Sequence, residues 1–135
     1  MPVGNFPKPQ IAASCEGNID VLNGTSPPST SVSAPFLLTA SGWLALSTEK
    51  GTVPDNTYLV LTAADDSRFL IEAARIQRPD VGTHFNKPEL SAAGFSTTSV
   101  VSSLRGNYTL SLGYSSGGSL FLCPQFNIPT TIGKP

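Results

Sequence analysis

From residue 108 to residue 114 the chain reads Tyr-Thr-Leu-Ser-Leu-Gly-Tyr, with a large apolar side chain at every second place. Only an extended strand sends alternate side chains to opposite faces, so Tyr108, Leu110, Leu112 and Tyr114 would share the side that meets a core. The same period recurs along the chain with varying clarity. Residues 17–23 alternate, 58–62 form a nearly continuous apolar run, and 68–76 read as its return strand; 95–101 and 119–123 follow. Between these segments lie Asn23-Gly24, Glu49-Lys50-Gly51, Pro54-Asp55-Asn56, Ala64-Asp65-Asp66, Arg105-Gly106-Asn107 and Ser116-Gly117-Gly118, whose glycines and short polar side chains favour reversal of the chain. A parallel α/β arrangement would need crossover helices of about ten residues or more, and no stretch supplies them. The expectation is an all-β fold, an antiparallel Ig-like β-sandwich of about seven strands.

Two stretches depart from simple alternation. Phe36, Leu38, Ala40 and Gly42 share one parity while Trp43 and Ala45 take the other, which predicts a bulge or bend near Ser41-Gly42. Residues 79–91 carry a proline first, an acid next, and Val81 and Phe85 four apart. That spacing puts both apolar side chains on one helical face, and Lys87-Pro88-Glu89-Leu90-Ser91 adds a second turn ended by Gly94. Both turns are too short to be helical alone, so the reading is a short helical excursion that closes over one end of the core. At the ends, Pro2, Pro7 and Pro9 make residues 1–14 an extended lead-in or linker with no signal-peptide character. The domain is expected over 15–128, with Phe126 and Ile128 continuing the last strand past Pro124, and 129–135 as a loose tail.

Composition narrows the partners. Eight basic residues stand against nine acidic ones, for a net charge of −1, and charged residues make up 13% of the 135 positions. That is about half the usual share. Neither nucleic acid nor an anionic bilayer would find a concentrated positive face here. Solubility rests instead on 30 serines and threonines. No apolar run approaches the roughly 18 residues of a membrane-spanning helix.

The two cysteines, Cys15 and Cys123, lie outside any C-x-x-C pair, and one histidine, His84, leaves too few soft ligands for a structural zinc site. Two readings stand open: separate buried thiols, or one bridge from the first strand to the last. Position favours the bridge, because Cys15 precedes the first alternating segment and Cys123 lies in the last. A bridge implies an oxidising space such as a periplasm or cell exterior, and the abundance of Ser, Thr and Asn over Lys and Glu agrees with it.

Catalytic chemistry finds little to hold. A hydrolytic triad would need His84 beside a hydroxyl and an acid, and the chain has no G-x-S-x-G elbow. Asp65 and Asp66 are the obvious carboxylate pair, yet in a tight connection aspartate is first a turn former. The Asp-x-Asn-x-Asp-Gly pattern of calcium loops is missing, and Asp20, Asp55 and Asp80 stand singly as turn or cap candidates. No metal site, cofactor site or catalytic residue is assigned. Glycan recognition needs an exposed ring to meet a sugar's C–H face, with amides and hydroxyls alongside. Tyr114, at a strand end, and Trp43, Tyr58 and Tyr108 are the candidates, although Trp43 lies within an apolar strand where a core role competes. Arg78-Pro79-Asp80 invites a structural reading, an arginine leaving a strand and an acid at a helix start that pair to hold the excursion.

Several phrases taken together carry a resemblance: Ser41-Gly42-Trp43-Leu44-Ala45, Tyr58-Leu59-Val60-Leu61, Arg78-Pro79-Asp80-Val81 with Phe85 and Pro88, Gly94-Phe95, Gly106-Asn107-Tyr108-Thr109-Leu110 and Leu122-Cys123. The chain, from about Cys15 to Ile128, resembles the small extracytoplasmic β-sandwich domains appended to bacterial polytopic membrane proteins, including glycosyltransferases of the inner membrane. No single motif among them is diagnostic. The resemblance implies location and architecture and carries no catalytic residue to any position. It implies a periplasmic, non-enzymatic accessory domain, partnered by the membrane domain of the same full-length protein and tethered by it to the inner membrane, with glycan or envelope components as further contacts. The rival readings are a free-standing carbohydrate-binding module and a small hydrolase using Asp65, Asp66 or His84.

Overall fold

A computed structural model describes residues 10–11, 15–22, 32–34, 37–100 and 106–132. The strands run in chain order as β1 (Gln10–Ile11), β2 (Glu16–Leu22), β3 (Val32–Ala34), β4 (Leu37–Ala45), β5 (Asn56–Ala63), β6 (Arg68–Ile76), β7 (Gly94–Val100), β8 (Gly106–Ser116) and β9 (Ser119–Ile132). Helix α1 (Pro79–Phe85) and a 3-10 turn (Pro88–Ala93) separate β6 from β7. The fold is all-β, and the expected excursion between strands is present. Expectations for residues 1–9, 12–14, 23–31, 35–36, 101–105 and 133–135 fall outside the described residues.

The strands follow one hydrogen-bonded order, β1-β9-β8-β5-β6-β7-β4-β2, with β3 also on β9. The corner is β6. Its first part, from Arg68 to Ala73, pairs with β5, whereas Ala74, Arg75 and Ile76 pair with β7. By changing partner, β6 curls the sheet until its halves face each other. Ile19, Leu38, Leu44 and Phe95 from one half then share a core with Leu59, Ile71, Leu110 and Leu112 from the other. The pairing therefore gives a curled mixed sheet, not the purely antiparallel one expected. Both β1 and β3 run parallel to β9. A parallel pair needs a long connection, and here nearly the whole domain supplies it. No short-range signal in the sequence announces such a contact.

Some strands bury both faces. Tyr58, Leu59, Val60 and Leu61 on β5 are all buried. Leu59 and Leu61 enter the main core, while Tyr58 and Val60 join Leu70, Leu120 and Leu122 in a second cluster. This accounts for the unbroken apolar run, since a strand covered on two sides loses its alternation.

The same cause corrects the reading of β4. Leu38, Ala40 and Leu44 keep one parity and all face the main core. Trp43 and Ala45 face the other way, onto Val81, Leu90 and Phe85 of the helical excursion. What reads as a switch of parity is a second buried face. The bulge predicted near Ser41-Gly42 lies across the ladder, in β2, where the register slips between Ile19 and Val21 opposite Gly42 and Ser41. Asp20 is the extra residue.

The last hairpin turns on Gly117 and Gly118, with φ of 60° and 84°. Two successive positive φ values fit a two-residue type I′ loop, which matches the twist of the flanking strands. Gly118→Ala should cost about 1 kcal/mol in a denaturant melt, because a Cβ penalises the left-handed region. Beyond it, β9 runs through Pro129 to Ile132, with Thr130 and Ile132 buried. The expected boundary at residue 128 falls short because prolines at 124 and 129 remove donors without ending an extended backbone.

Candidate functional site

Cys15 and Cys123 form a disulfide, with Cα atoms 6.0 Å apart across 108 positions. It ties the start of β2 to β9, the two regions that the sequence reading joined.

The aromatic candidates part company. Tyr114 is 5% exposed and Tyr58 4%. Tyr114 stacks on Phe121 at 5.1 Å, and the Tyr58 hydroxyl shares a hydrogen bond with Ser115. Burial pushes both phenols above their ordinary range. Neither ring offers a face to a ligand. Trp43 is half-buried and keeps an accessible side.

Trp43 lines a hollow of about 360 Å³ with Arg78, Asp80, Val81, His84 and Phe85. The local sequence builds it in steps. Pro79 presets the first turn of α1, and Asn86 ends the helix in the left-handed region (φ 55°), its N–H reaching back to Thr83 O at 3.2 Å. Buried Val81 anchors the helix, and Phe85, one turn on, lies 5.5 Å from the Trp43 ring at a tilt of 55°. His84 meets Phe85 edge to face at 4.7 Å. Three rings thus stand at angles around one depression.

Its polar side is fixed by Arg78. Nε donates to Asp80 Oδ1 at 2.9 Å and Nη2 to Asp80 Oδ2 at 2.8 Å, a two-point clasp. Nη1 donates to Asp20 Oδ2 at 2.7 Å. The bulge in β2 is what aims Asp20 at the guanidinium. The Arg78 backbone N–H bonds Ser91 O at 2.7 Å, so one residue joins β2, α1 and the 3-10 turn. Its stem crosses Gly94, where an added Cβ would stand 2.4 Å from Arg78 Cγ and 2.5 Å from Ile76 O. Gly94→Ala should therefore displace Arg78 and lower stability by about 1–3 kcal/mol, with a shift in Trp43 emission reporting the disturbed hollow.

The Arg78 hydrogen bonds hold the Asp80 carboxyl below its ordinary range, and Asp80 in turn raises the guanidinium. A depressed folded-state value contributes stability above the unfolded carboxylate value, lost as pH falls through the folded one. The clasp should hold at neutral pH and through the ordinary carboxylate range, opening only below it. Trp43 fluorescence followed from pH 7 to pH 2 should show that step, and Asp80→Asn should remove it.

The other sequence candidates lie elsewhere. Asp65 Oδ1 accepts from Ser67 N (3.0 Å) and Ser67 Oγ (2.6 Å), which lowers the Asp65 pKa, and Asp66 has φ of 69°. Both belong to the β5–β6 turn. Among the described residues no hydrogen bond joins His84 to a serine or an acid, and no three His, Cys, Asp or Glu side chains gather as metal ligands. No described helix is long and apolar enough to cross a membrane. At the corner of the sheet, Arg75 donates to Ala92 O (2.9 Å), Pro54 O (2.6 Å) and Asp55 O (3.0 Å), stapling the segments around a cleft of about 220 Å³.

Sequence reasoning named Trp43 but missed Phe85 and His84 as its companions, and read Asp20 only as an isolated turn or cap candidate. The i, i+4 spacing of Val81 and Phe85 was the available signal, since the face that packs on the sheet also reaches Trp43. Comparison with protein-family models and with curated proteins finds no match to this chain.

Proposed function

We propose that this chain is an extracytoplasmic β-sandwich accessory domain of a bacterial membrane protein, periplasmic and non-enzymatic, which contacts glycan through the Trp43–Phe85 hollow. The observation that carries the glycan contact is the pair of tilted rings beside a carboxylate held in place by Arg78. A ring face accepts a sugar's C–H surface, and a fixed carboxylate accepts its hydroxyls. The disulfide supports an oxidising compartment. Attachment to a membrane domain and to glycosyltransferases rests on the resemblance of the sequence.

Trp43 is the sole tryptophan, so its emission reads the hollow directly. Titration with soluble peptidoglycan fragments and outer-core oligosaccharides should give a saturable change, weakened about fivefold by Phe85→Ala, which removes a ring worth about 1 kcal/mol. Tyr114→Phe should leave it unchanged. Absence of any saturable response would overturn the glycan contact, and release of reducing ends during the titration would overturn the non-enzymatic reading.

A further inference from the structure

The charge around the hollow is unbalanced. One guanidinium, Arg78, faces two carboxylates, Asp20 and Asp80. The guanidinium is spent on them, since Nε, Nη1 and Nη2 each donate to an aspartate oxygen. Exposure sharpens the imbalance: the Asp80 side chain is 66% exposed and that of Arg78 only 25%. A ligand entering from solvent meets the carboxylate first. On the other side it meets the rings of Trp43 and Phe85, set at 55° to one another. Aromatic faces carry partial negative charge and attract a cation placed over them.

From this geometry we propose that the hollow selects ligands bearing an ammonium group on a compact carbon frame. The proposal rests on the reading of the hollow as the ligand site and adds its charge preference. A protonated amine would sit against the rings and donate to the Asp80 carboxylate, which is clasped by Arg78 on one side and 66% exposed to solvent. A quaternary ammonium would use the rings and the field of the carboxylate. An anionic sugar would meet Asp80 with like charge. Two sources share this chemistry, an amino sugar with a free amine and a choline-type head group.

The test is a Trp43 emission titration of the whole chain at pH 7 and constant ionic strength. The probes are glucosamine, glucose, N-acetylglucosamine, glucuronate, choline and 3,3-dimethylbutan-1-ol, the last an uncharged analogue of choline. Glucosamine should bind at least about tenfold more tightly than glucose or N-acetylglucosamine, and choline should exceed dimethylbutanol by a similar factor. The preference should shrink as sodium chloride is raised, because an exposed carboxylate is screened. Asp80→Asn should remove the preference, so that glucosamine and glucose bind that variant within about twofold of each other; if that variant fails to fold, the salt series on the native chain decides. Equal affinity for glucosamine and glucose would overturn the charge preference while leaving the sugar contact standing. A preference for glucuronate would overturn it outright. No response to any probe would remove the ligand site and the preference together. Binding of choline without glucosamine would keep the preference and assign the amine to a head group in place of a glycan.

Discussion

Removal of the Cys15–Cys123 bridge should lower the free energy of unfolding by about 4–5 kcal/mol at 25 °C. The bridge closes a loop of 108 positions, and in the chain-entropy account a loop of that size removes about this much disorder from the unfolded chain. The contribution is a large part of the roughly 5–15 kcal/mol that stabilises an ordinary domain. Cys123 is fully buried in the main core, so a Cys15→Ala, Cys123→Ala double variant also leaves a small cavity there. The expected fall in melting temperature is on the order of 15 °C. Thermal and urea melts of the native chain, the reduced chain and the double variant measure the two quantities. Equal midpoints in all three would mean that the bridge constrains nothing the sheet does not already hold.

Phe95→Ala should cost about 3–5 kcal/mol. Phe95 is the largest of the fully buried side chains, and it sits on β7 opposite Gly42 of β4 and Arg75 of β6. It fills the corner where the sheet turns from one half to the other, a place whose neighbours are fixed by hydrogen bonding and are poorly able to collapse into the space. Val100, on the same strand but 67% exposed, is the natural control, and Val100→Ser should change stability by no more than about 0.5 kcal/mol. If the two variants unfold at the same urea concentration, the corner is not where the fold is held.

Much of the strand content was legible because most described segments keep one face on the core, and one buried face imposes period two. The β8 alternation and the two-glycine turn after it are the clearest cases. Legibility failed where both faces are covered. Trp43 and Ala45 face the helical excursion, and a local reading took their burial for a bend in the strand. Tyr58 and Tyr114 looked available as ring platforms because tyrosines at strand ends often are. Their burial depends on Phe121 and on the Leu70 and Leu122 cluster, contacts made across strands that the sequence does not announce. Asp20 shows the same limit at a site: its role comes from one residue of slippage between β2 and β4, which no side-chain pattern records. Arg78 and Asp80 were readable as a pair because they are two positions apart.

The parallel contact between β1 and β9 has a bearing on synthesis. On a ribosome Gln10 and Ile11 emerge well before their described partners, Phe121 and Leu122. β3 waits likewise for Thr130 to Ile132. Closure therefore waits until β9 has been made, and contacts of such long sequence separation make folding slow. A nascent chain of this kind stays threadable until β9 has appeared.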